Sequence, residues 1–288
     1  MEIEIAGHSG CTIEIVNGGE GLFIVKSTSD PAYADRLRKQ AIKQEAFQGD
    51  GKSGIRAPRV LDIYADHTCC RVKMEYVYSL HSIAFVENAG REQIDHFLDN
   101  IIGFVESEIA RSELRKVQPA IFIDKYMNVK DNILANEALA EDQDILSWFS
   151  ILDRIFSKKM SFDIPVGLCH GDLTFSNILF SRNSFYLIDF LDSFIETPLL
   201  DIVKLRQDTA FNWSGLMYSG VYDRVRHAIV LRFMDKRIDD AFSFYPWYRD
   251  AYSSFQLLNF LRILQYARER RVVKYLKKNI TFLLENYG

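Results

Sequence analysis

The chain has 288 residues, of which 48% are hydrophobic and 26% are charged, and its formal net charge is −4. This hydrophobic content is enough for a sizeable core, which excludes an intrinsically disordered protein. A weakly acidic chain also lacks the overall positive charge that attracts nucleic acid or an anionic membrane surface. We therefore expect a globular protein of one large domain or two lobes.

The cysteines and the first residues indicate a reducing compartment. The four cysteines have no C-x-x-C spacing, and we expect reduced thiols. The opening residues MEIEIAGHSG lack the basic start and apolar core of a signal peptide, and no apolar run has the length of a membrane span. The simplest prediction is a cytoplasmic protein without a membrane span.

Alternating apolar residues occupy the first part of the chain. IEI, CTIEIV and LFIVK are separated by GHSG and NGGEG, a pattern that predicts a three-stranded antiparallel meander. The next segment carries Ala34, Leu37 and Ala41 at helical spacing and predicts one exposed helix packed on the sheet. APRVLDIYAD and CCRVKMEYV then predict two further strands. Residues 1–79 are therefore expected to form a small antiparallel sheet with one helix.

Long helices are predicted after Ser79. Apolar residues recur at helical spacing in two runs: Ile94, Phe97, Leu98, Ile101, Ile102, Val105 and Ile109, then Ile145, Trp148, Phe149, Leu152 and Phe156. LCHGDLTFSNILF and FYLIDF interrupt the helices with a predicted two-stranded insert, and helices resume near Leu199. We predict a mainly helical lobe over residues 80–288. Within it, the basic stretch Arg268–Lys278 is predicted to be a solvated helix face.

Three polar residues stand beside the apolar runs of the insert, namely Asp172, Asn177 and Asp189. Their spacing presents two carboxylates and an amide at a loop and at the end of a short hairpin. Hard cations take such oxygen ligands and keep water or phosphate in their other positions, so Mg²⁺ is the natural candidate. The spacing alone leaves open a structural role for these side chains in turns. The HGD triplet and the second aspartate after a strand favour the metal site.

The segment HGDLTFSNIL followed by LIDF resembles the catalytic loop and the metal-binding aspartate of the aminoglycoside phosphotransferase and choline kinase family. The resemblance implies an α+β, bilobal protein-kinase-like fold with a small antiparallel-sheet N-lobe and a mainly helical C-lobe. It also implies phosphoryl transfer from ATP, or GTP, to a small molecule, with Mg²⁺ as cofactor.

The resemblance also implies roles for single residues. Asp172 falls where the family has its catalytic base, and Asn177 and Asp189 fall on the magnesium ligands. Lys26, at the end of LFIVK, falls on the lysine that contacts the phosphates. A helix glutamate pairs with this lysine in the family, and Glu45 is the expected partner.

Two further stretches are expected to contact the nucleotide. AGHSGC, with Gly7 and Gly10, lies where the family has its phosphate-covering loop, although it is not G-x-G-x-x-G. Small residues with free backbone amides can approach phosphate oxygens, and a plain hairpin turn is the alternative. MEYV resembles the hinge strand whose backbone binds adenine, with Glu75 and Val77 as the expected contacts. A simple edge strand is the alternative there.

The region around the catalytic loop indicates a small acceptor. Gly171 stands where eukaryotic-type protein kinases have arginine, and the short run from Asp189 to Asp201 has no room for an activation segment that docks a peptide. The resemblance implies the hydroxyl of a sugar, polyol, aminoglycoside or choline-like molecule as acceptor. The HGDLT version of the motif with the DFLDS tail also resembles bacterial kinases of surface-polysaccharide metabolism, which implies a role there. No nucleic-acid partner is expected. Because the phosphate loop is imperfect, a nucleotide-binding regulatory or scaffold protein on the same fold is the alternative.

Overall fold

The computed structural model describes residues 3–6, 11–19, 21–47, 54–66, 68–157 and 161–287. The chain forms two compact units, each built from three segments. The first unit comprises Met1–Ser107, His170–Ser193 and Val221–Val230. The second unit comprises Glu108–Cys169, Phe194–Gly220 and Leu231–Gly288.

The described strands are β1 (Ile3–Ala6), β2 (Thr12–Gly18), β3 (Gly21–Thr28), β4 (Ile55–Arg56), β5 (Val60–Ala65), β6 (Cys70–Glu75), β7 (Glu113–Val117), β8 (Phe162–Val166), β9 (Ile178–Ser181) and β10 (Ser184–Leu187). The described helices are α1 (Pro31–Ala46), α2 (Ser82–Asn88), α3 (Arg91–Ala110), α4 (Pro119–Ala135), α5 (Gln143–Ile155), α6 (Pro198–Thr209), α7 (Trp213–Met217), α8 (Arg224–Phe242), α9 (Pro246–Leu264) and α10 (Arg270–Glu285). A 3₁₀ turn, Phe175–Asn177, directly precedes β9.

In the described part of the chain, no helix combines the length and the apolar character that a membrane crossing requires. All four cysteines are free thiols, and three of them are buried.

An antiparallel sheet with the strand order β1-β2-β3-β6-β5 dominates the start of the first unit. The predicted meander and the two further strands are therefore confirmed. Helix α1 begins after Asp30, whose side chain caps the helix by accepting a backbone N–H. The helix packs on one face of the sheet, because Leu37 and Ala41 are buried in one core with Cys70 and Val72 of β6.

Strands β9 and β10 form the predicted antiparallel hairpin. Strand β4, which was not predicted, pairs with β10 in parallel and completes a three-stranded sheet. The hairpin is held by aromatic packing within the first unit. Phe180 stacks on Phe85 at 4.3 Å between ring centroids, and Phe185 lies 5.1 Å from Phe97. Dense packing of this kind gives the hairpin a fixed position.

The second unit is mainly helical. The prediction of a mainly helical C-terminal part of the chain is confirmed. Helix α9 packs against α4, α6, α10 and β8. Strands β7 and β8 form an antiparallel pair that was not predicted. Helix α10 buries four apolar residues at helical spacing, Val272, Leu276, Ile280 and Leu283. The basic residues Arg270, Lys274 and Lys278 are exposed, so the prediction of a solvated helix face is confirmed for them. Lys277 instead donates to Asp142 at 2.6 Å.

Candidate active site

The hairpin brings two of the predicted site residues together. Asn177 ends the 3₁₀ turn before β9, and Asp189 follows β10 by two residues. Because the strands are antiparallel, the start of β9 and the end of β10 lie at the same end of the hairpin. The backbone N–H of Ile188 donates to the carbonyl oxygen of Asn177 at 3.0 Å at this end.

One amide group joins the loop of Asp172 to the hairpin. Asn177 is buried, and its Nδ2 donates to the backbone oxygen of Asp172 at 2.8 Å and to its Oδ2 at 3.0 Å. These two bonds fix the plane of the amide and direct its oxygen away from Asp172. Among the described residues, no hydrogen bond to that Oδ1 atom is present. The oxygen is therefore available to a cation.

Lys26 also belongs to this group of residues. Its Nζ donates to Oδ1 of Asp189 at 2.7 Å, although 163 positions separate the two along the chain. Lys26 is 4% exposed, whereas the side chain of Asp189 is 40% exposed. A buried ammonium without a counter-charge is costly, so this ion pair is what makes the buried lysine tolerable. The backbone of Asp189 has φ +61°, a left-handed conformation that functional residues adopt more often than others.

The structure differs from the predicted pairing of Lys26 with Glu45. Helix α1 directs Ala34, Leu37, Gln40, Ala41 and Gln44 inward. Glu45 follows Gln44 by one residue, a rotation of roughly 100° about the helix axis that turns its side chain to solvent. In the described chain, Lys26 is paired with Asp189 instead. The predicted and observed partners of Lys26 differ because the sequence pattern did not fix the rotation of α1 to within one residue.

His170 is a central residue of the site that the sequence analysis did not assign. It is fully buried, and its Nε2 bonds the carbonyl oxygen of Ile188 at 2.9 Å while its Nδ1 accepts the N–H of Asp172 at 3.2 Å. Both partners suit the neutral imidazole with the proton on Nε2. Burial lowers the pKa of His170 to about 4, against the opposing effect of Asp172. The signal in the sequence was the HGD triplet itself.

Gly171 lets the loop approach the segment after β10. Its φ is +87°, and a Cβ atom at this position would overlap the carbonyl oxygen of Leu191. The N–H of Leu191 donates to the carbonyl oxygen of His170 at 2.9 Å, which holds the two segments together. Lys43 of α1, also missed by the sequence analysis, donates from Nζ to the same Leu191 oxygen at 2.6 Å.

Two of the remaining predicted nucleotide contacts, Glu75 and Val77, lie at the end of β6 and just after it. Glu75 ends β6, and its carboxylate accepts from Nε of Arg59 at 3.2 Å. Its backbone N–H donates to the Arg59 carbonyl at 2.9 Å. Val77 follows β6 and is partly buried. Gly7 and Gly10 lie outside the described residues.

The oxygen donors present fit a magnesium ion. In the described part of the chain no cluster of three histidine, cysteine or acidic side chains forms a metal site. The predicted set does not need one, because it combines a single carboxylate of Asp189 with the amide oxygen of Asn177. Oδ1 of Asp189 accepts from Lys26, and no described residue bonds its Oδ2. Two hard oxygen donors at one end of a rigid hairpin, with positions left for water and phosphate, are what Mg²⁺ prefers.

The five-stranded sheet with its helix, the loop and hairpin site, and the helical second unit define an α+β protein of the protein-kinase-like class. The sequence profile of the phosphotransferase enzyme family matches residues 5–236, and the chain belongs to that family. The predictions of the fold class, of the family and of a phosphotransferase enzyme are confirmed. No curated protein has a significant sequence match to the chain.

Solved structures with the same fold include the GDP and kanamycin complex of APH(2")-IIia, with 14% identity, a TM-score of 0.64, and a match over 99% of this chain and 92% of that chain. The GDP complex of wild-type aminoglycoside 2'-phosphotransferase-IIIa has 14% identity and a TM-score of 0.63, over 100% of this chain and 93% of that chain. A glucosamine kinase has 12% identity and a TM-score of 0.58, over 98% and 93%. At these identities the likeness shows the fold.

Proposed function

We propose that the chain is a small-molecule kinase that transfers the γ-phosphoryl group of ATP or GTP to a hydroxyl group and requires Mg²⁺. One observation carries the proposal. Lys26 donates to Asp189 at 2.7 Å across 163 positions of the sequence, Asn177 donates to Asp172 at 3.0 Å, and all four residues lie within one compact unit. Phosphoryl transfer needs positive charge beside the phosphates and an oriented base for the attacking hydroxyl, and these residue types provide both.

The residues have separate tasks in this proposal. Asp172 accepts the proton of the acceptor hydroxyl, and Asn177 and the His170 ring fix its orientation through its Oδ2 and its backbone N–H. Lys26 provides a buried positive charge for the phosphates. Asn177 and Asp189 hold Mg²⁺, which supplies charge against the developing negative charge of the phosphoryl oxygens.

The acceptor is proposed to be a sugar, polyol, aminoglycoside or choline-like molecule. Only eight residues separate Asp189 from the start of α6 at Pro198, which leaves little chain for a peptide-docking segment. The names of similar structures suggest where to begin, because kanamycin and glucosamine both carry amino-sugar rings. Two of these structures contain GDP, so GTP is tested beside ATP.

Three finer parts of the proposal rest on the sequence alone. They are the division into lobes at residues 1–79 and 80–288, a cytoplasmic location, and a role in surface-polysaccharide metabolism. The nucleotide contacts of Gly7, Gly10, Glu75 and Val77 also stay predictions.

The test combines labelled ATP or GTP, Mg²⁺ and a panel of amino sugars, other sugars, polyols and choline. We expect one acceptor class to be phosphorylated, and Asp172→Asn to lower turnover by roughly 100-fold or more, since general-base catalysis contributes that much. Asp131→Asn, at an exposed position of α4, serves as the matched control and should leave turnover unchanged. Stabilisation by Mg²⁺ and ATP without phosphorylation of any hydroxyl would instead support the regulatory or scaffold alternative. Full turnover in Asp172→Asn would contradict the assigned base.

A further inference from the structure

We infer that Lys43 is a positioning residue that fixes the Asp189 segment for metal binding and thereby couples helix α1 to the site. The inference rests on the proposed function, because it takes Asp189 as a magnesium ligand. Neither the motif around Asp172 nor the expected lysine and glutamate pair includes this residue.

Lys43 lies in a buried environment that an ordinary surface lysine does not occupy. Its side chain is 15% exposed, and its Nζ lies 2.6 Å from the carbonyl oxygen of Leu191 and 3.9 Å from Oδ1 of Asp192. The side chain of Lys39, one turn earlier on α1, is 55% exposed, and its Nζ lies 2.7 Å from the carboxylate of Asp35 on the same helix. The helix therefore offers a direct comparison between a lysine directed at the site and one directed at solvent.

The segment from Ile188 to Leu191 is anchored at both ends. Nε2 of His170 holds the carbonyl oxygen of Ile188, and the carbonyl oxygen of His170 holds the N–H of Leu191. The Leu191 oxygen then receives the Lys43 ammonium. Asp189 stands between these anchors in a left-handed backbone conformation that a free chain rarely adopts. Removing one anchor should release part of that constraint.

Buried contacts hold helix α1, which carries Lys43, against the rest of the first unit. Gln44, the next residue, is buried and donates from Nε2 to the carbonyl oxygen of Pro58 at 2.7 Å. Leu37 and Ala41 are buried against the sheet. The position of the Lys43 ammonium is therefore set by the sheet, and its bond to Leu191 transmits that position to the Asp189 carboxylate. Mutation of groups that orient metal ligands in this way typically lowers metal affinity by roughly 10- to 100-fold.

The test measures metal binding and loop protection as well as turnover. Lys43→Met removes the ammonium and keeps the length of the side chain, Lys43→Arg keeps charge and donor, and Lys39→Met is the matched control. With ATP held constant, the Mg²⁺ concentration for half-maximal thermal stabilisation should rise roughly 10- to 100-fold in Lys43→Met. Lys43→Arg should lie between it and the wild type, and Lys39→Met should match the wild type.

A second readout needs no ligand. Hydrogen exchange at the Leu191 amide should be faster in Lys43→Met than in Lys39→Met, while exchange in α1 stays the same. Should Lys43→Met not fold, Lys43→Gln takes its place in both measurements and is read in the same way. An unchanged Mg²⁺ midpoint together with unchanged Leu191 exchange would overturn the inference. The inference would also be overturned if Lys43→Met weakened nucleotide binding in the absence of metal by the same factor as it weakened Mg²⁺ binding. A merely structural role of Lys43 predicts that result. A wild-type protein that does not respond to Mg²⁺ and ATP would contradict the proposed function, and the exchange measurement would still decide the role of Lys43.

Discussion

Lowering the pH from about 7 to about 4.5 should destabilise the chain, and the buried imidazole of His170 should account for a measurable part of that loss. The ring is fully buried, and both of its nitrogens are engaged with backbone groups that require the neutral form. A proton on Nδ1 would place two N–H groups face to face at Asp172. The unfolded chain has no such restriction, so it takes up the proton at higher pH.

The size of the effect follows from the two pKa values. The pKa of His170 is lowered from 6.5 to about 4 in the folded chain. Between these values the unfolded state binds one more proton than the folded state. The free energy of unfolding therefore falls as the pH falls, by about 1.4 kcal/mol per pH unit, and the full depression from 6.5 to about 4 corresponds to about 3 kcal/mol. Above pH 6.5 the group contributes no pH dependence.

The assay compares the wild type with His170→Gln, whose side chain does not titrate. Urea unfolding followed by circular dichroism at a series of pH values gives the free energy of unfolding of each protein. Carboxylates and the other histidines titrate in both, so their effects cancel in the difference. We expect that difference to shrink by at least about 2 kcal/mol between pH 7 and pH 4.5. His96→Gln, at an exposed histidine, is the control and should give a constant difference. A constant difference for His170→Gln as well would refute the reasoning.

Two further changes test the packing of each unit. Gly171→Ala should lower turnover strongly, because the new Cβ would overlap the Leu191 oxygen and the positive φ costs an alanine about 1 kcal/mol or more. Turnover equal to that of the wild type would show that the loop of Gly171 need not approach Leu191 so closely. Arg206→Met should lower the free energy of unfolding by roughly 3–5 kcal/mol, because the largely buried Asp235 carboxylate, now 2.8 Å from the guanidinium, loses its charged partner and keeps, among the described residues, only the Thr209 hydroxyl. Lys236→Met, which breaks an exposed pair on α8, is the control in the same urea titration and should cost less than about 1 kcal/mol; equal losses for the two variants would contradict the buried-pair account.

Local periodicity was sufficient to predict most of the fold. The meander, α1, the β9–β10 hairpin and the long helices each carry their pattern within a short window of sequence. Strand β4 was missed because it is two residues long and its partner β10 lies about 130 positions away. Strands β7 and β8 were missed for a similar reason. Four of the five residues of β7 are exposed and β8 contains a proline, so neither shows the pattern of a buried strand.

In the candidate site, too, the features with a local sequence pattern were predicted and those that depend on distant contacts were not. Asp172, Asn177 and Asp189 lie within one short stretch, and the spacing of the motif already implied that a loop and a hairpin would bring them together. Whether Glu45 can face Lys26 depends on the rotation of α1 to within one residue, and the sequence pattern does not fix that rotation. His170 and Lys43 act through backbone carbonyls of a distant segment. Such contacts leave no pattern of residue types, because every residue has a carbonyl oxygen.

The bond between Lys26 and Asp189 has a consequence for how the binding of metal and the binding of nucleotide depend on each other. In the described chain the lysine has Asp189 as its counter-ion, and in the proposed function the same carboxylate is needed by the metal. When the metal takes Asp189, the nearly buried ammonium loses its compensation and requires another anion, which the phosphates of the nucleotide supply. Metal and nucleotide should therefore bind with positive cooperativity. Thermodynamic linkage makes this coupling reciprocal, so each ligand should raise the affinity for the other by the same factor.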